Sequence, residues 1–421
     1  MSQQKLKGTL DFFNDKAKKL RYIQNTTSKV VNTFGFEEII LPIIENTNVF
    51  TRSSGEESDI VTKEMYTFLD RGNRSITLRP EGTAGVVRSY LENKLYVEVG
   101  IKKLYYFGPM FRYERPQAGR YRQFYQFGIE AFGDGSYLLD ADVILTAYEI
   151  FKSLKINNVK LIINSIGDFN SRQTYAKALQ EYFKDNVSVL CSDCKRRLKT
   201  NPLRILDCKV DKNNPIVLNA PKIKEYLNEE SKKYFDNLLN ILKTMEIPYE
   251  IDTNLVRGLD YYTDTVFEFI IENSNDLQGL AICAGGKYAS LVESMGGPNI
   301  PGVGYAFGIE RILTIMEENN SFPDLDSNIE CVILTLDQIS KVESLKIAND
   351  LRNANISVDY DYTSLNMKPQ FKLADRLSAK YVLIYGEEER LNNVITVKNQ
   401  INKNQETVEL KNLIAYLKQG E

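Results

Sequence analysis

The sequence predicts an α+β domain built on an antiparallel sheet with flanking helices, interrupted by a helical insertion and followed by a smaller α/β domain. Within residues 111–132, two stretches of alternating polar and apolar residues flank a short polar loop, which indicates a hairpin of antiparallel strands. Residues from about 171–250 have mostly helical patterns and many charges. Strands alternate with helices across residues 329–421, which is typical of compact α/β domains with parallel strands. The first domain is therefore predicted at residues 1–322 and the second at residues 329–421.

Apolar spacing and the positions of Gly and Pro set the elements of the first domain. Apolar residues three and four positions apart predict an amphipathic helix over Asp15–Phe34. Alternation predicts a strand over Phe36–Ile44, interrupted by Pro42, and Gly285-Gly286 predicts a turn between a strand and a helix. The other predicted elements are a hairpin of Glu64–Phe68 with Ser75–Arg79, helices ending near Glu92 and spanning Asp140–Leu154, strands at Lys160–Asn164 and within Leu255–Ile271, and a strand followed by a helix in Pro301–Glu317.

The second domain follows a predicted linker, Phe322–Asn328, which contains Pro323 and alternating acidic residues. Its predicted order is strand, helix, strand, helix, strand, strand, helix. These elements span Cys331–Leu336, Ser340–Ala354, Ser357–Tyr362, Lys368–Leu377, Tyr381–Gly386, Asn393–Lys398 and Leu410–Lys418.

Composition limits both the compartment and the chemistry. The 421 residues suggest two or three domains, and the formal net charge of −3 means that nucleic acid would be bound by local patches. The sequence shows neither a long apolar run nor a signal-peptide core, and its five Cys form no disulfide-like framework, so we expect a cytoplasmic protein without membrane contact. Because the chain has no His, catalysis must use Arg, Lys, Glu, Asp, Tyr, Cys or the substrate itself.

The predicted hairpin is the most informative segment, and it reads FRYERPQAGRYRQFYQFGIEAF. Arg122, Phe124, Gln126, Gly128 and Glu130 share one face of its second strand, because strand side chains alternate. Gly128 leaves a gap between an amide and a carboxylate, and we expect a small polar ligand to occupy that gap.

Arginines surround the loop of the same hairpin. Arg112 and Glu114 share a face of the first strand, while Arg115, Arg120 and Arg122 lie in or beside the loop. Their planar guanidinium groups suit phosphate and carboxylate ligands. The alternative is a solvated hairpin with a polar face, for which so many arginines around one glycine would not be needed.

Two further segments place charged residues at turns. Glu81 and Thr83 follow Pro80 at a strand end, where a carboxylate can accept from an ammonium or an imidazole N–H. The alternative is a helix N-cap by Thr83 with Glu81 solvated. The run Leu255–Tyr262 sets Arg257 and two adjacent tyrosines before an alternating strand, and its alternative is a turn packed by aromatic rings.

The segment Gly302–Arg311 reads GVGYAFGIER and predicts a strand that enters a helix at Gly308. A cation in the first helical turn is unfavourable to the helix dipole, and an anion bound near Arg311 would reverse this. The segment matches neither a Walker loop nor a dinucleotide fingerprint. The alternative is a close-packed glycine strand with a surface Arg.

Together these segments resemble the histidyl-tRNA synthetases of the class II aminoacyl-tRNA synthetase family. The hairpin resembles their motif 2, Gly302–Arg311 resembles their motif 3, and the resemblance covers nearly the full length, with a C-terminal domain like an anticodon-binding domain. It implies an ATP-dependent, AMP-forming ligase that converts L-histidine to histidyl-adenylate and pyrophosphate and then charges tRNA(His). It also implies Mg²⁺ carried with ATP and, together with the Phe36–Ile44 strand, a homodimer.

The resemblance implies roles for individual residues. Arg257 and Arg112 are expected to be catalytic, because they would hold the α-phosphate and stabilise the charge that develops there. ATP is expected at Arg112, Glu114, Arg120 and Arg311, the last two at the outer phosphates. Histidine is expected at Glu81, Thr83, Gln126, Glu130, Arg257, Tyr261, Tyr262 and Tyr288. The tRNA is expected at Gln117 and Arg115 in the hairpin loop, and at Arg196 and Arg197 in a locally basic stretch whose alternative role is a solvated face.

Lys287 and Ala289 depart from the family, which usually has Arg and Asp at these positions. Lysine keeps the charge but loses the planar fork. The neighbouring Tyr288 and glycines remain, so we expect a working pocket.

Cys191, Cys194 and Cys208 suggest a metal site. A fourth ligand is missing from this set, and no His can supply it, so we expect buried or idle thiols and no zinc.

Two other functions compete with this interpretation. A regulatory paralogue of histidine biosynthesis would bind histidine without catalysis, but such paralogues tend to lose the arginines and the C-terminal domain. A generic α/β RNA-binding protein would not need a ligand-sized polar pocket.

Overall fold

The structure is a computed structural model of the chain, and it describes residues 3–55, 58–117, 119–208, 210–257, 261–275, 277–325 and 329–419. The chain divides into two compact units, Met1–Pro323 and Asp324–Glu421. Residues 258–260 of the predicted Arg257 run and residues 326–328 of the predicted linker lie outside the described ranges. Within these ranges, every helix lacks either the length or the apolar character that crossing a membrane requires.

The strands of the first unit form two sheets. The strands are β1 Glu37–Glu38, β2 Ile44–Asn46, β3 Tyr66–Leu69, β4 Ser75–Leu78, β5 Lys102–Phe111, β6 Gln123–Phe132, β7 Val159–Ser165, β8 Tyr249–Ile251, β9 Thr263–Ile271, β10 Ala281–Tyr288 and β11 Gly302–Gly308. The larger sheet has the order β1-β5-β6-β11-β10-β9-β7-β8, and it is antiparallel except where β1 meets β5 and β7 meets β8. The smaller sheet, β2-β4-β3, is antiparallel throughout.

Helices cover the larger sheet and fill the insertion. The α-helices of the first unit are α1 Asn14–Thr33, α2 Thr47–Ser54, α3 Thr83–Glu92, α4 Tyr137–Ser153, α5 Phe169–Lys184, α6 Ser192–Thr200, α7 Pro215–Leu218, α8 Glu229–Thr244, α9 Leu291–Ser294 and α10 Ile309–Glu318. A π-helix spans Ile60–Glu64, and 3₁₀ turns span Leu95–Val97, Val187–Val189, Pro202–Ile205 and Ile223–Glu225. Apolar residues of α1, α4, α8 and α10 pack with those of β6, β9 and β11 in one core, and those of α5, α6 and α7 join a second core.

The second unit is a five-stranded sheet with helices. Its strands are β12 Cys331–Thr335, β13 Val358–Tyr360, β14 Tyr381–Tyr385, β15 Val394–Asn399 and β16 Gln405–Glu409, in the order β13-β12-β14-β15-β16. Its α-helices are α11 Gln338–Asn353, α12 Met367–Arg376, α13 Glu387–Leu391 and α14 Leu413–Gln419, with a 3₁₀ turn at Leu410–Asn412. The first three strands in this order are parallel, as predicted, whereas β15 and β16 are antiparallel and β16 was not predicted.

The predicted fold class is confirmed, but two predicted local features are wrong. The stretch Phe36–Ile44 is not one strand: β1 joins the large sheet, and β2 begins at Ile44 in the small one. Gly285-Gly286 is not a turn, because β10 continues through both residues, although its pairing register with β9 shifts between Gly286 and Lys287. A Cβ atom at Gly285 would lie 2.3 Å from the carbonyl oxygen of Gly304 on β11, so glycine there allows close strand packing.

The strand order brings the predicted segments side by side. In the register of β6 with β11, Gln126 pairs with Gly308 and Glu130 pairs with Gly304. The polar face of the hairpin therefore lies next to the strand that leads into Arg311.

Candidate active site

A cavity of about 290 Å³ opens over the middle of the large sheet. It is bounded by the hairpin, by β10 and β11, and by the segment around Arg257. Of the predicted site residues, those that line it are Glu81, Thr83, Arg112, Glu114, Arg120, Gln126, Glu130, Arg257, Tyr261, Tyr262 and Arg311. Residues from distant parts of the chain thus share one concave surface, as ligand sites usually do.

Glu81 is buried at the start of helix α3. Its carboxylate accepts hydrogen bonds from the backbone N–H of Thr83 at 2.6 Å and of Ala84 at 2.9 Å. The residue that satisfies the helix N-terminus is therefore Glu81, and the alternative in which Thr83 caps the helix and Glu81 is solvated is wrong. Burial raises the pKa of Glu81, while these backbone hydrogen bonds act in the opposite direction.

Glu130 lies beside Glu81 and is also buried. The hydroxyls of Thr83 and Tyr288 each donate to its carboxylate at 2.6 Å. Burial raises the pKa of Glu130 from its ordinary value of 4.5 to about 8, against the effect of these two hydrogen bonds. Tyr288, predicted to bind histidine, therefore lies behind Glu130 and supports it from outside the cavity lining.

The gap expected beside Gly128 is filled by protein. A Cβ atom at Gly128 would lie 2.3 Å from the hydroxyl oxygen of Tyr106, so the glycine makes room for this ring. The Tyr106 hydroxyl donates to the side-chain oxygen of Gln126 at 3.2 Å. The expectation that a ligand occupies this gap is wrong, and the cavity floor between Gln126 and Glu130 is the ring of Tyr106.

Arg257 connects the end of the cavity that contains Glu81 and Glu130 with the end that contains Arg120 and Arg311. It forms an ion pair with Glu268 and lies 5.9 Å from the ring centroid of Tyr262, whose ring contacts that of Tyr261. Burial alone would lower the pKa of Arg257, but Glu268 acts against it and the pKa is raised. Its buried Nε atom has no hydrogen-bond partner among the described residues. A buried guanidinium N–H without an acceptor favours an anionic ligand at this position.

The opposite end of the cavity is rich in arginine. Arg112 donates from Nε to the carbonyl oxygen of Pro80 at 2.8 Å, and Arg120 pairs with Glu114 at 3.2 Å. Arg311 donates to two more backbone carbonyls, of Gly119 and Ala281.

The pKa of Arg311 is lowered at this end of the cavity. Burial lowers the pKa of Arg311, and the neighbouring charges of Arg120 and Arg112 lower it further. The carboxylates of Glu114 and Glu268 oppose this shift without reversing it. Cations that destabilise one another in this way are stabilised by a bound polyanion.

Several residues of the site were not predicted. Tyr106, Tyr121 and Cys283 line the cavity, and Glu268 holds Arg257. Glu310 accepts from the backbone N–H of Tyr125 at 2.9 Å, and burial raises the pKa of Glu310 to about 7. Glu310 immediately precedes Arg311 in the motif 3 run, so its position next to a predicted site residue would have been a reason to predict it as well. The tyrosines and Cys283 are indistinguishable from core residues in the sequence.

The four predicted tRNA contacts lie outside the cavity lining. Gln117 and Arg115 are exposed in the hairpin loop, where Gln117 and Arg120 exchange backbone hydrogen bonds. Arg196 lies on helix α6 and pairs with Asp193 at 3.6 Å. The side chain of Arg197 is 12% exposed and is paired with Asp59 at 3.0 Å, so a tRNA contact there would require this pair to open. All four assignments stay predictions.

The unusual residues Lys287 and Ala289 do not line the cavity. Lys287 donates to the carbonyl oxygen of Gly135 at 2.7 Å and lies 3.5 Å from the carboxylate of Asp264. Its ammonium nitrogen lies 4.1 Å from the ring centroid of Tyr234. The departure from the family pattern therefore affects a buried polar cluster behind the site, where Lys287 already has anionic and aromatic partners.

The predicted cysteine group has a fourth member. Ligand atoms of Cys191, Cys194, Cys208 and Asp211 all lie within 4.8 Å of one another. The expectation that no fourth ligand is available is therefore wrong. From the sequence, only His was considered as a fourth ligand, whereas the structure places a carboxylate oxygen of Asp211 near the three sulfurs.

Known proteins that are similar to this chain are histidyl-tRNA synthetases. A family model of histidyl-tRNA synthetases matches residues 8–312, and a model of the anticodon binding domain matches residues 330–420. The chain is 46% identical over 418 residues to histidine–tRNA ligases of Staphylococcus haemolyticus, covering 98% of each chain, and of Bacillus cytotoxicus, covering 99% of each. The solved apo histidyl-tRNA synthetase of S. aureus superposes with a TM-score of 0.86 at 41% identity, covering 99% of this chain and 100% of its own.

These matches place the chain among the aminoacyl-tRNA synthetases, as predicted from the hairpin and the Arg311 segment. Within that class, the chain belongs to the histidyl-tRNA synthetase family.

Proposed function

We propose that the cavity activates L-histidine with ATP and that the chain then transfers histidine to tRNA(His). A carboxylate oxygen of histidine attacks the α-phosphorus of ATP, and the bond from that phosphorus to the bridging oxygen breaks. The products are histidyl-adenylate and pyrophosphate. Arg112 and Arg257 would hold the α-phosphate, where negative charge increases in the transition state. Arg120 and Arg311 would hold the outer phosphates, with Mg²⁺ arriving as part of the ATP complex.

The second step needs no imidazole from the protein. The terminal ribose hydroxyl of the tRNA attacks the carbonyl carbon of the adenylate, and the bond to AMP breaks. The hydroxyl proton would pass to a phosphate oxygen of the adenylate. This route is compatible with a chain that contains no His.

One observation carries the proposal: a single cavity has buried carboxylates on one side and mutually repelling arginines on the other. Glu81 and Glu130 are acceptors suited to the ammonium and imidazole N–H groups of histidine. The arginine side suits a triphosphate. Arg257 interacts with Tyr262 on the carboxylate side and with Glu268 near Arg311, which is where the two substrates would react.

We also propose the class II mechanism, a homodimer and a cytoplasmic location. Ile40, Ile43 and Ile44 are exposed next to the short strands β1 and β2, and a second copy of the chain would cover this apolar group. The five thiols are free in the structure, which fits a reducing compartment.

For the tRNA, we propose contacts in each of the two units. Gln117 and Arg115 of the hairpin loop would meet the acceptor end, and Arg196 would contact the backbone. The second unit, which matches the anticodon binding domain model, would bind the anticodon.

The test of the activation step is ATP–pyrophosphate exchange with each of the twenty amino acids, without tRNA. We expect exchange with histidine and with no other amino acid. Histidine binding without exchange would contradict the proposal and would favour the regulatory paralogue. RNA binding without histidine binding would favour the generic RNA-binding alternative.

A further inference from the structure

We propose that Cys191, Cys194, Cys208 and Asp211 bind a structural Zn²⁺ ion in the insertion. This site is separate from the cavity, because none of the four residues lines it. The inference does not depend on the proposed reaction.

The geometry fits a tetrahedral ion. The four ligand atoms lie within 4.8 Å of one another, and the sulfurs of Cys191 and Cys208 are 3.7 Å apart. Two sulfurs that each lie about 2.3 Å from a tetrahedral zinc ion are about 3.8 Å apart. A disulfide would need about 2.05 Å, so the separation of 3.7 Å fits two ligands of one metal ion and does not fit a covalent bond.

The donor set and its burial favour zinc. Cys194 and Cys208 are 0% and 3% exposed, and Asp211 is 5% exposed. A carboxylate oxygen next to three sulfurs completes a set of four donors of the kinds that zinc accepts. Three thiolates select a soft or borderline metal, and a closed set of four ligands is typical of structural zinc.

The surrounding backbone holds the ligands in place. Cys191 precedes helix α6, and its backbone N–H donates to Asp211 at 2.9 Å, which fixes the carboxylate against the first thiol. Cys194 lies in the first turn of α6, so the helix fixes its position relative to Cys191. Cys208 follows the 3₁₀ turn Pro202–Ile205.

The spacing has a pattern that counting cysteines alone does not reveal. Cys191 and Cys194 are separated by two residues, and so are Cys208 and Asp211. Two such pairs make the usual ligand arrangement of small zinc modules, here with a carboxylate as the fourth ligand.

The ion would secure a connection between the insertion and the catalytic core. Between the two ligand pairs lie Arg197 and Arg204, which both bind one carboxylate oxygen of Asp59, at 3.0 and 2.8 Å. Asp59 leads into the π-helix Ile60–Glu64, and the carbonyl oxygen of Glu64 accepts from Tyr113 of the hairpin. Zinc would thus fix the segment that positions both arginines.

The experiment measures metal content and metal spectra of the purified full chain, with no substrate present. We expect about one zinc ion per chain by elemental analysis. After removal of zinc and addition of Co²⁺, we expect the thiolate charge-transfer and visible bands of a tetrahedral cobalt site. Zinc should also raise the melting temperature of the metal-free protein.

Variants identify the ligands. Cys194→Ser and Asp211→Ala should weaken zinc binding by more than about tenfold, because even outer-shell changes cost about 10–100-fold. Asp211→Cys should retain zinc, and Cys331→Ser, which removes a thiol of the second unit, should bind zinc like the parent. The Co²⁺ spectrum of the unmutated chain tests the site even if a variant fails to fold.

Two results would overturn the proposal. One is reduced protein that binds neither zinc nor cobalt while all five thiols react with a thiol reagent. The other is a protein mass that is lower by two hydrogens with a Cys191–Cys208 disulfide as the stable form.

Discussion

The two ends of the cavity are completed in different ways. At the carboxylate end, Glu81 and Glu130 accept hydrogen bonds from backbone N–H groups and from two hydroxyls, so their oxygens have partners before any ligand arrives. At the other end, Arg112 and Arg311 donate to backbone carbonyls, which carry no net charge. Burial lowers the pKa of Arg311, and the neighbouring charges of Arg120 and Arg112 lower it further. The protein alone provides hydrogen-bond partners for the carboxylates of the first end, whereas a bound anion would balance the positive charges of the second end.

This difference separates the expected effects of substitution. Substitutions at the arginine end should weaken the binding of ATP, and substitutions at the carboxylate end should weaken the binding of histidine. Arg257 belongs to both ends, so its loss should affect the two substrates together.

The largest effect is expected for Arg257→Ala. Loss of a preorganised charge at the reacting phosphate should lower kcat/KM for histidine-dependent ATP–pyrophosphate exchange by about 10²–10³-fold. The rate should fall with either substrate varied. A change confined to the KM of one substrate, with kcat intact, would mean that Arg257 belongs to a single end.

Arg311→Ala should be next. It removes a charged donor from the outer phosphates, and such hydrogen bonds contribute about 1.5–3 kcal/mol, so the KM for ATP should rise by about 10–100-fold. The KM for histidine should change less than about twofold. Arg115→Ala is the control, because this exposed arginine of the hairpin loop should have no effect without tRNA. Equal increases in both KM values would contradict the separation of the ends.

Glu130 should give histidine binding a pH dependence. With a pKa of about 8, Glu130 is protonated at pH 6.5 and becomes charged as the pH rises through 8. Because the charged form attracts an ammonium group, affinity for histidine should increase by about tenfold over that interval.

Glu130→Gln keeps the shape of the side chain and cannot titrate, so it is the control for this pH dependence. It should retain only the pH dependence of histidine itself, measured by calorimetry without ATP. An unchanged pH profile in Glu130→Gln would show that another group is responsible.

The smallest effect is expected for Gly128→Ala. The added methyl group would overlap the Tyr106 ring, so overpacking should lower the free energy of unfolding by about 1–3 kcal/mol, measured in urea. Histidine affinity should fall several-fold, while ATP affinity should not change. Gly308→Ala, whose Cβ would meet no atom of the described residues within 4 Å, should alter stability by less than about 0.5 kcal/mol. A loss of ATP affinity in Gly128→Ala would show that the two ends are mechanically coupled.

The sequence predicted what is local or carried by contiguous motifs. The hairpin, Arg257 and the Arg311 helix followed from short runs, and each contributes residues to the cavity. Alternation could not reveal that β1 and β2 join different sheets, because strand patterns do not specify a partner.

Contacts between distant segments were also beyond prediction. No fourth ligand for the cysteine group was predicted from the sequence, although Asp211 lies against the three thiols. Tyr106 looks like a core residue in the sequence, although it forms the floor of the cavity. Two predictions about glycine were wrong. The space at Gly128 is filled by Tyr106 and not by a ligand, and Gly285-Gly286 allows close packing of strands and does not form a turn.

The order of the large sheet has a consequence for synthesis of the chain on the ribosome. Strand β6 pairs with β11, and that pairing inserts β11 between two groups of strands that are both made before it. Until Gly302–Gly308 has emerged, the groups β1-β5-β6 and β10-β9-β7-β8 have no strand to join them. Such long-range pairing is slow and leaves strand edges open. We expect ribosome-bound chains arrested before β11 to be digested by protease within the first unit, and chains that expose α10 to be protected.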